Sequence, residues 1–253
     1  MNIHIITLFP KVFSGAFEES IIKRAQEKGL VNISLHNLRE FGIGKRKDTD
    51  DYPYGGGAGM IMRIEPIYKA IKKIKTENKK KKIKSKTILL TPQGEVLTEN
   101  KSKELAKEPS LVLICGHYKG LDERIRINLV DEEISIGDYV LSGGELAAMV
   151  VVDAIVRLIP GVIGNKESME LDSFYQNLLE GPLYTRPEEF EGMKVPDILL
   201  SGNHGAISIW RRKEALRKTY LKRPELLDMI RLNKKDMELL KKIKKEQQGA
   251  IKC

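Results

Sequence analysis

The 253-residue sequence contains only two cysteines, one tryptophan and no long apolar run. Cys115 and Cys253 lack C-x-x-C spacing, which argues against a disulfide framework and favours a reducing, cytoplasmic environment. The longest apolar stretch, around Leu146–Ile159, is interrupted by Asp153 and Arg157, so we expect no membrane span. The first residues lack a basic region and predict a strand rather than a signal peptide.

Several catalytic signatures are missing as well. There is no G-x-x-x-x-G-K-[ST] string, and the glycines at 55, 56, 57 and 59 do not form G-x-G-x-x-G. Neither Ser142 nor Ser201 lies in G-x-S-x-G, which argues against a hydrolase nucleophile elbow. The four histidines are too scattered for metal-ligand spacing, so the sequence predicts no metal site.

Positive charge, by contrast, is plentiful. Lys and Arg number 44 against 35 Asp and Glu, for a net charge of +9, which favours a polyanionic partner such as nucleic acid or an acidic membrane surface. From His204 onward there are 15 basic and 6 acidic residues, so this region holds the whole excess. Lys72–Lys86 adds nine lysines and one acid. The simplest interpretation of its low-complexity part, Lys79–Lys82 with Lys84 and Lys86, is an exposed, solvated connection.

Short apolar runs alternate with segments of helical periodicity. The runs predict buried strands at Ile3–Leu8, Val31–Leu35, Thr87–Leu90, Leu111–Cys115 and Glu133–Ile136. The periodic segments predict helices at Gly15–Lys28, Glu65–Lys75, Thr98–Lys107 and Gly144–Leu158. This alternation predicts an α/β fold with a largely parallel sheet and a ligand crevice beyond the carboxyl ends of its strands.

The composition changes near Pro160, which predicts a first domain over residues 1–160 and a polar linker over 161–175. Residues 176–253 then form a small helical domain. Its predicted helices are Trp210–Leu221, Pro224–Arg231 and a peripheral Lys234–Lys245. Basic residues recur along the first of these helices, which indicates RNA binding. Trp210 either stacks on a base or fills a small core.

Three glycine-bearing loops follow predicted strands, at Leu89–Gly94, Leu113–Arg124 and Ile134–Glu145. Any one of them alone is most simply a strand–helix turn. Together they offer bare backbone N–H and C=O groups that a ligand can approach closely. Beside a basic appendage, they favour a nucleoside-containing ligand.

Longer strings carry a resemblance to a known family. They are Asp50-Asp-Tyr-Pro-Tyr-Gly-Gly-Gly-Ala-Gly-Met60, Gly116–Arg124, Ile136–Leu146, Leu183-Tyr-Thr-Arg-Pro187 and Val195–His204. In this order they resemble the bacterial tRNA (guanine-37-N1)-methyltransferase family, TrmD. The resemblance covers nearly the whole chain, with the Lys72–Lys86 segment outside it.

The resemblance implies a SPOUT-class fold, with a parallel sheet and a deep trefoil knot at the end of the first domain, followed by a small all-α domain. It implies S-adenosylmethionine as methyl donor, tRNA as partner, and a homodimer with active sites between subunits. A magnesium requirement is associated with the family, but the sequence shows no metal cage. The implied cofactor-binding residues are Leu90, Pro92, Gly116, Tyr118, Ile136, Gly137, Asp138, Tyr139, Val140, Leu141, Gly143 and Gly144.

The resemblance also implies the catalytic residues. Methylation of guanine N1 needs a base for its proton and a group that stabilises charge on O6. Asp172 matches the family's base, and Arg157 matches its charge-stabilising arginine. Taken alone, Asp172 is more simply a helix N-cap or a linker acid, and Arg157 an i,i+4 partner of Asp153. The implied substrate-binding residues are Asp50, Asp51, Arg186 and His204.

Two positions depart from the family pattern. Lys119 stands where many relatives have glutamate, and Ala147 replaces a frequent proline. The first departure puts one substrate or cofactor contact in doubt. Two other functions stay open at this point: a knotted methyltransferase that modifies a ribose 2′-oxygen without the Asp172 base, and an RNA-binding protein that keeps the fold without activity.

Overall fold

A computed structural model describes residues 1–164 and 170–250. The chain divides into two compact units, Met1–Gly164 and Asn165–Cys253. The predicted linker, 161–175, straddles this boundary, and its residues 165–169 lie outside the described residues. Over the described ranges, no helix has both the length and the apolar character needed to cross a membrane.

The first unit is built on a five-stranded sheet in which all neighbouring strands are parallel. The strand order is β2-β1-β6-β5-β7. The strands are β1 Asn2–Thr7, β2 Asn32–Asn37, β5 Lys86–Val96, β6 Ser110–Cys115 and β7 Glu132–Ser135. The predicted α/β class and parallel sheet are confirmed. The prediction of full burial was wrong for β2, an edge strand on which Leu35 is 39% exposed.

Helices cover both faces of this sheet because alternate strand residues point to opposite sides. Ile3 and Ile5 of β1 belong to one core, together with residues of α1 Ser20–Glu27, α3 Glu99–Leu105 and α5 Glu145–Val156. Ile6 points to the other core, which α2 Ile64–Lys80 and α4 Glu123–Leu129 complete.

In the first unit, two helices differ from their predicted limits by five residues at one end. Helix α1 begins at Ser20 rather than Gly15, because Gly15 takes a positive φ of 85° and turns the chain. Helix α2 continues to Lys80, five residues beyond the predicted end. The extension is anchored by Asn78, which is buried and donates from Nδ2 to Ser110 Oγ at 3.1 Å. Lys79 and Lys80, predicted as part of a solvated connection, are therefore the last residues of the helix, whereas Lys81, Lys82 and Lys84 lie beyond it and are exposed.

A short antiparallel ribbon lies beside the sheet. It pairs β3, Asp50–Asp51, with β4, Ile61–Met62. Met62 N donates to Gly120 O at 2.9 Å, and Asp122 N donates to Met62 O at 3.0 Å. These bonds fix the ribbon against the loop that follows β6.

The second unit is mainly helical. It contains α6 Asp197–Leu200, α7 His204–Lys222, α8 Glu225–Asp228 and α9 Lys234–Ala250. Leu178, Leu216 and Ile243 form its core. Ile243 is fully buried, so the prediction that the last helix is peripheral was wrong.

The prediction of an all-α domain needs a correction too. Strands β8, Glu189–Phe190, and β9, Met193–Lys194, form an antiparallel hairpin. Glu191 and Gly192 connect them, with φ of 49° and 79°. Two central residues with positive φ form the turn that matches strand twist in short hairpins. The Glu-Gly pair was the sequence signal that indicated this turn.

Ion pairs inside the second unit engage much of its predicted basic surface. Arg212 makes a two-pronged contact with the buried Asp236, at 3.0 and 2.9 Å. This contact holds the pKa of Asp236 below its usual value. Lys213 and Arg217 both reach Glu246, at 2.8 and 2.7 Å. The count of basic residues therefore overstates the positive charge that α7 offers to a partner.

Two histidines face each other on neighbouring strands of the first unit. His4 Nδ1 and His36 Nε2 lie 3.0 Å apart. Burial lowers the pKa of both rings, and the proximity of His4 lowers that of His36 further, to about 4. Both rings are therefore neutral in the folded protein near pH 7.

This pair predicts a loss of stability in mild acid. A folded-state pKa below the unfolded value of 6.5 means that stability is full above pH 6.5 and falls as the pH drops toward 4. Between pH 7.5 and 4.5, we expect the free energy of unfolding of wild type to fall by about 1–3 kcal/mol more than that of the His36→Gln variant. Urea unfolding at several pH values measures this difference. His204→Gln, at an exposed histidine, is the control and should follow wild type; parallel curves for all three proteins would contradict the prediction.

Candidate active site

A cleft of about 540 Å³ lies at the carboxyl ends of β5, β6 and β7. Its walls are the three glycine-bearing loops. The first is looped out of β5, because Leu90 and Glu95 both pair with Ile134 while the residues between them leave the ladder. The second follows Cys115 and the third follows Ser135. Parallel strands bring these loops to one edge of the sheet, where ligands bind in such folds.

Eleven of the twelve cofactor residues implied by the resemblance line this cleft; Asp138 is not among the lining residues. The cleft is large enough for a nucleoside-containing ligand. Leu90, Ile134 and Ala147 are buried apolar residues of the cleft lining, whereas the glycine loops contribute backbone polar groups.

Two glycines show why these loops need small residues. Gly137 has a φ of 144°, which is strained for any residue with a side chain. Gly144 N donates to Gly116 O at 2.9 Å, which holds the second and third loops together. A Cβ atom on Gly144 would lie 2.7 Å from Cα of Cys115 and 2.9 Å from N of Gly116. Only glycine allows the two loops to come this close.

A buried carboxylate ties the cleft to the sheet. Glu145 is 5% exposed, in the first turn of α5. It accepts hydrogen bonds from Thr7 Oγ1 and from His117 Nε2, each at 2.6 Å. Three elements thus meet at one side chain: the end of β1, the loop after β6 and the start of α5. The sequence offers one signal of this network, an acid at the first position of a helix whose only other charged residue is Asp153.

Cys115 lies buried at the end of β6. Burial, with the negative charge of Glu145 adding to it, raises the pKa of its thiol well above the usual value. The thiol therefore stays protonated, which makes Cys115 a packing residue and not a nucleophile.

The β3–β4 ribbon brings a predicted substrate residue to the cleft. Asp50 lies near Tyr118, whose pKa is raised by burial and by the Asp50 carboxylate. Asp51 instead pairs with Arg63 at 3.1 Å. Lys119 lines the cleft, and its N donates to Met60 O at 3.1 Å. The two adjacent aspartates therefore have different surroundings, and Asp50 is the one beside the cleft-lining tyrosine.

Polar side chains that sequence analysis did not single out also line the cleft. Gln93 and Arg126 hydrogen-bond each other, and Arg126 Nη1 also lies 3.2 Å from Glu133. Their contact joins the first loop to α4. No sequence pattern pointed to either residue, because the contact is formed across 33 positions of the chain.

The implied catalytic residues lie in different units. Arg157 directly follows α5 in the first unit. Asp172 lies in the second, where its backbone carbonyl accepts from Tyr175 N at 3.3 Å. Arg186 and His204 are exposed, and His204 is the first residue of α7. Neither unit alone contains all of the implied catalytic and substrate-binding residues.

The cleft fits S-adenosylmethionine in size and in its supply of backbone donors and acceptors. The residues suit a metal ion less well. Along residues 1–164 and 170–250, no three His, Cys, Asp or Glu side chains lie close enough together to act as ligands of one ion. Lys119 adds positive charge at the cleft.

The fold and the cleft define a class: an α/β protein with a ligand site in glycine loops at the carboxyl edge of a parallel sheet. A family model described as "tRNA (Guanine-1)-methyltransferase TrmD" matches residues 1–229. That range includes Lys72–Lys86, which the motifs alone left outside the resemblance. The chain belongs to this family of enzymes.

Relatives are similar over almost their whole length. A "tRNA (guanine-N(1)-)-methyltransferase" of Geobacillus kaustophilus is 57% identical over 248 residues, which cover 98% of this chain and all of the relative. A protein of the same name from Dictyoglomus turgidum is 54% identical over 246 residues, 97% of this chain and 98% of the relative.

Proposed function

We propose that the chain transfers a methyl group from S-adenosylmethionine to N1 of guanine 37, the base 3′ to the tRNA anticodon. The observation that carries this proposal is the meeting of three glycine loops at one cleft in a chain of this family. When bound there, the cofactor supplies an electrophilic methyl group. The residues proposed to hold it are the eleven lining residues named above; Asp138 is proposed to act from outside the lining.

The protein's part in the reaction is to position the base and move its proton. Asp172 is proposed to take the proton from N1 as the methyl group arrives, and Arg157 to stabilise the charge that develops on O6. Asp50, which lies near Tyr118, is proposed to accept hydrogen bonds from the guanine edge. Asp51, Arg186 and His204 are proposed as further substrate contacts.

The wider organisation is proposed on the same basis. We propose a SPOUT-type trefoil knot in the first unit and a tRNA-binding role for the second, mainly helical unit. The domains would be 1–160 and 176–253, joined by 161–175. A homodimer with active sites between subunits is proposed as well, since the family resemblance implies that arrangement. A cytoplasmic location accords with a tRNA substrate.

Methylation of two transcripts tests the reaction. We expect methyl transfer to a tRNA transcript with guanine at position 37, and a rate at least 100-fold lower when that guanine is replaced, because the base must present N1 to Asp172. Nuclease digestion and mass spectrometry should find the methyl group on the base. A methyl group on ribose would indicate a 2′-oxygen methyltransferase. Equal methylation of both transcripts would contradict the position, and calorimetry showing no cofactor binding would favour an inactive RNA-binding protein.

A further inference from the structure

We propose that a row of lysines on α2 binds phosphates of the tRNA away from the methylated base. We call this row the lysine face. It comprises eight exposed lysines on α2 and the turn after it: Lys69, Lys72, Lys73, Lys79, Lys80, Lys81, Lys82 and Lys84. Glu77 is the only acid between Lys69 and Lys84. The inference rests on the proposed tRNA substrate.

The lysine face is the exposed side of an amphipathic helix. Helix α2 buries Ile67, Ala70, Ile71, Ile74 and Asn78 against the sheet, at spacings of one, three and four residues. The lysines take the remaining positions, so they point away from the core. From Lys69 to Lys80 the helix rises about 17 Å. A row of this length matches successive phosphates of a strand better than a single nucleotide.

The carboxyl end of the lysine face is held in one conformation. Lys82 has a φ of 57°, and Ile83 N donates to Asn78 O at 2.9 Å across the helix end. Lys82 N also donates to Lys79 O at 3.0 Å. This arrangement is a closed helix cap, so little backbone freedom is lost when a ligand binds.

The charges of the lysine face are not neutralised within the chain. Among the residues that the structure describes, none of the eight has a carboxylate oxygen within 4.0 Å; the nearby ion pairs belong to Lys75 and Lys86. Lys72 Nζ and Lys73 Nζ each lie 5.7 Å from the centroid of an aromatic ring. This contrasts with α7, whose Arg212, Lys213 and Arg217 are paired with carboxylates.

A purely structural role does not account for the row. Lysines in the last turn of a helix interact favourably with its dipole, but Lys69 and Lys72 lie earlier and Lys84 lies beyond the end. Like charges three or four residues apart destabilise a helix by about 0.2–0.5 kcal/mol per pair. The row therefore carries a repulsion that a bound polyanion relieves.

Neutralising the capped end of the lysine face tests the proposal. In the full-length enzyme we replace Lys79, Lys80, Lys81 and Lys82 by Gln, and measure the Kd for tRNA across salt concentrations together with steady-state kinetics. We expect the Kd for tRNA to rise about tenfold near 0.1 M salt. The salt dependence should also weaken: the magnitude of the slope of log association constant against log salt should decrease by about 2–3. The kcat at saturating tRNA should stay within twofold of wild type, because the substitutions are outside the cleft.

The matched control removes the same charge elsewhere in the first unit: Lys11, Lys23, Lys28 and Lys107 to Gln, all at exposed positions. Its Kd should change less than threefold. If both variants bind tRNA alike, the proposal is wrong. It is equally wrong if the first variant binds tRNA as wild type does but loses binding to anionic phospholipid vesicles. If circular dichroism shows that the first variant is unfolded, a second variant makes the same test. It replaces Lys69, Lys72 and Lys73 by Gln. Failure of wild type to methylate tRNA would instead overturn the proposed function.

Discussion

Replacing Asp172 by Asn is expected to slow methyl transfer by about 10²–10⁴-fold, the usual contribution of a general base. The amide keeps the size and hydrogen-bonding reach of the carboxylate but cannot accept the proton of guanine N1. The cofactor Kd should not change, because Asp172 is not among the lining residues of the cleft. Single-turnover rates with saturating tRNA, together with calorimetry, measure the two quantities separately.

The control for this substitution is Asp228→Asn, an exposed aspartate in the same unit. It should leave the single-turnover rate within twofold of wild type. If Asp172→Asn reacts within a few-fold of wild type, Asp172 is a structural acid of the turn that ends with its carbonyl bond to Tyr175 N. The base would then have to be sought elsewhere.

Replacing Gly144 by Ala is expected to raise the Kd for S-adenosylmethionine at least tenfold, a cost of about 1.4 kcal/mol. The added Cβ meets backbone atoms of Cys115 and Gly116 at 2.7 and 2.9 Å. Backbone cannot swing aside as a flexible side chain can, so the second and third loops must separate. Both loops line the cleft, and their separation misplaces the groups that hold the cofactor.

Gly164→Ala provides the matched comparison, since its φ is not positive and a Cβ there would meet nothing within 4 Å. Calorimetry should show its Kd unchanged. Thermal unfolding of both variants separates loss of fold from loss of binding. A Gly144→Ala protein that melts like wild type and binds the cofactor within twofold would show that the loops adjust without consequence.

The five strands could be predicted because each combines an apolar run with a turn signal. Their order could not: β6 lies between β1 and β5, and pairing over such distances leaves no trace in local periodicity. The extension of α2 to Lys80 was missed for a related reason. A lysine tract resembles a solvated loop until Asn78 is seen to bond Ser110 in the core.

The cleft was the most predictable part of the site, since parallel strands deliver their loops to one edge. The individual contacts within it were less predictable. The ribbon of β3 and β4 has two residues per strand, too few for a periodic pattern, and yet it carries Asp50 to Tyr118. Glu145 was read as part of a motif, whereas its bonds to Thr7 and His117 depend on elements 138 and 28 residues away.

The looped-out segment of β5 has a consequence for how this site can be altered. Leu90 and Glu95 share Ile134 as partner, so the ladder closes on both sides of the excursion. The number of residues at its tip, around Pro92, is therefore independent of the sheet register. We therefore expect a change of length at this tip to alter the shape of the cleft while the pairing of β5 with β7 is kept.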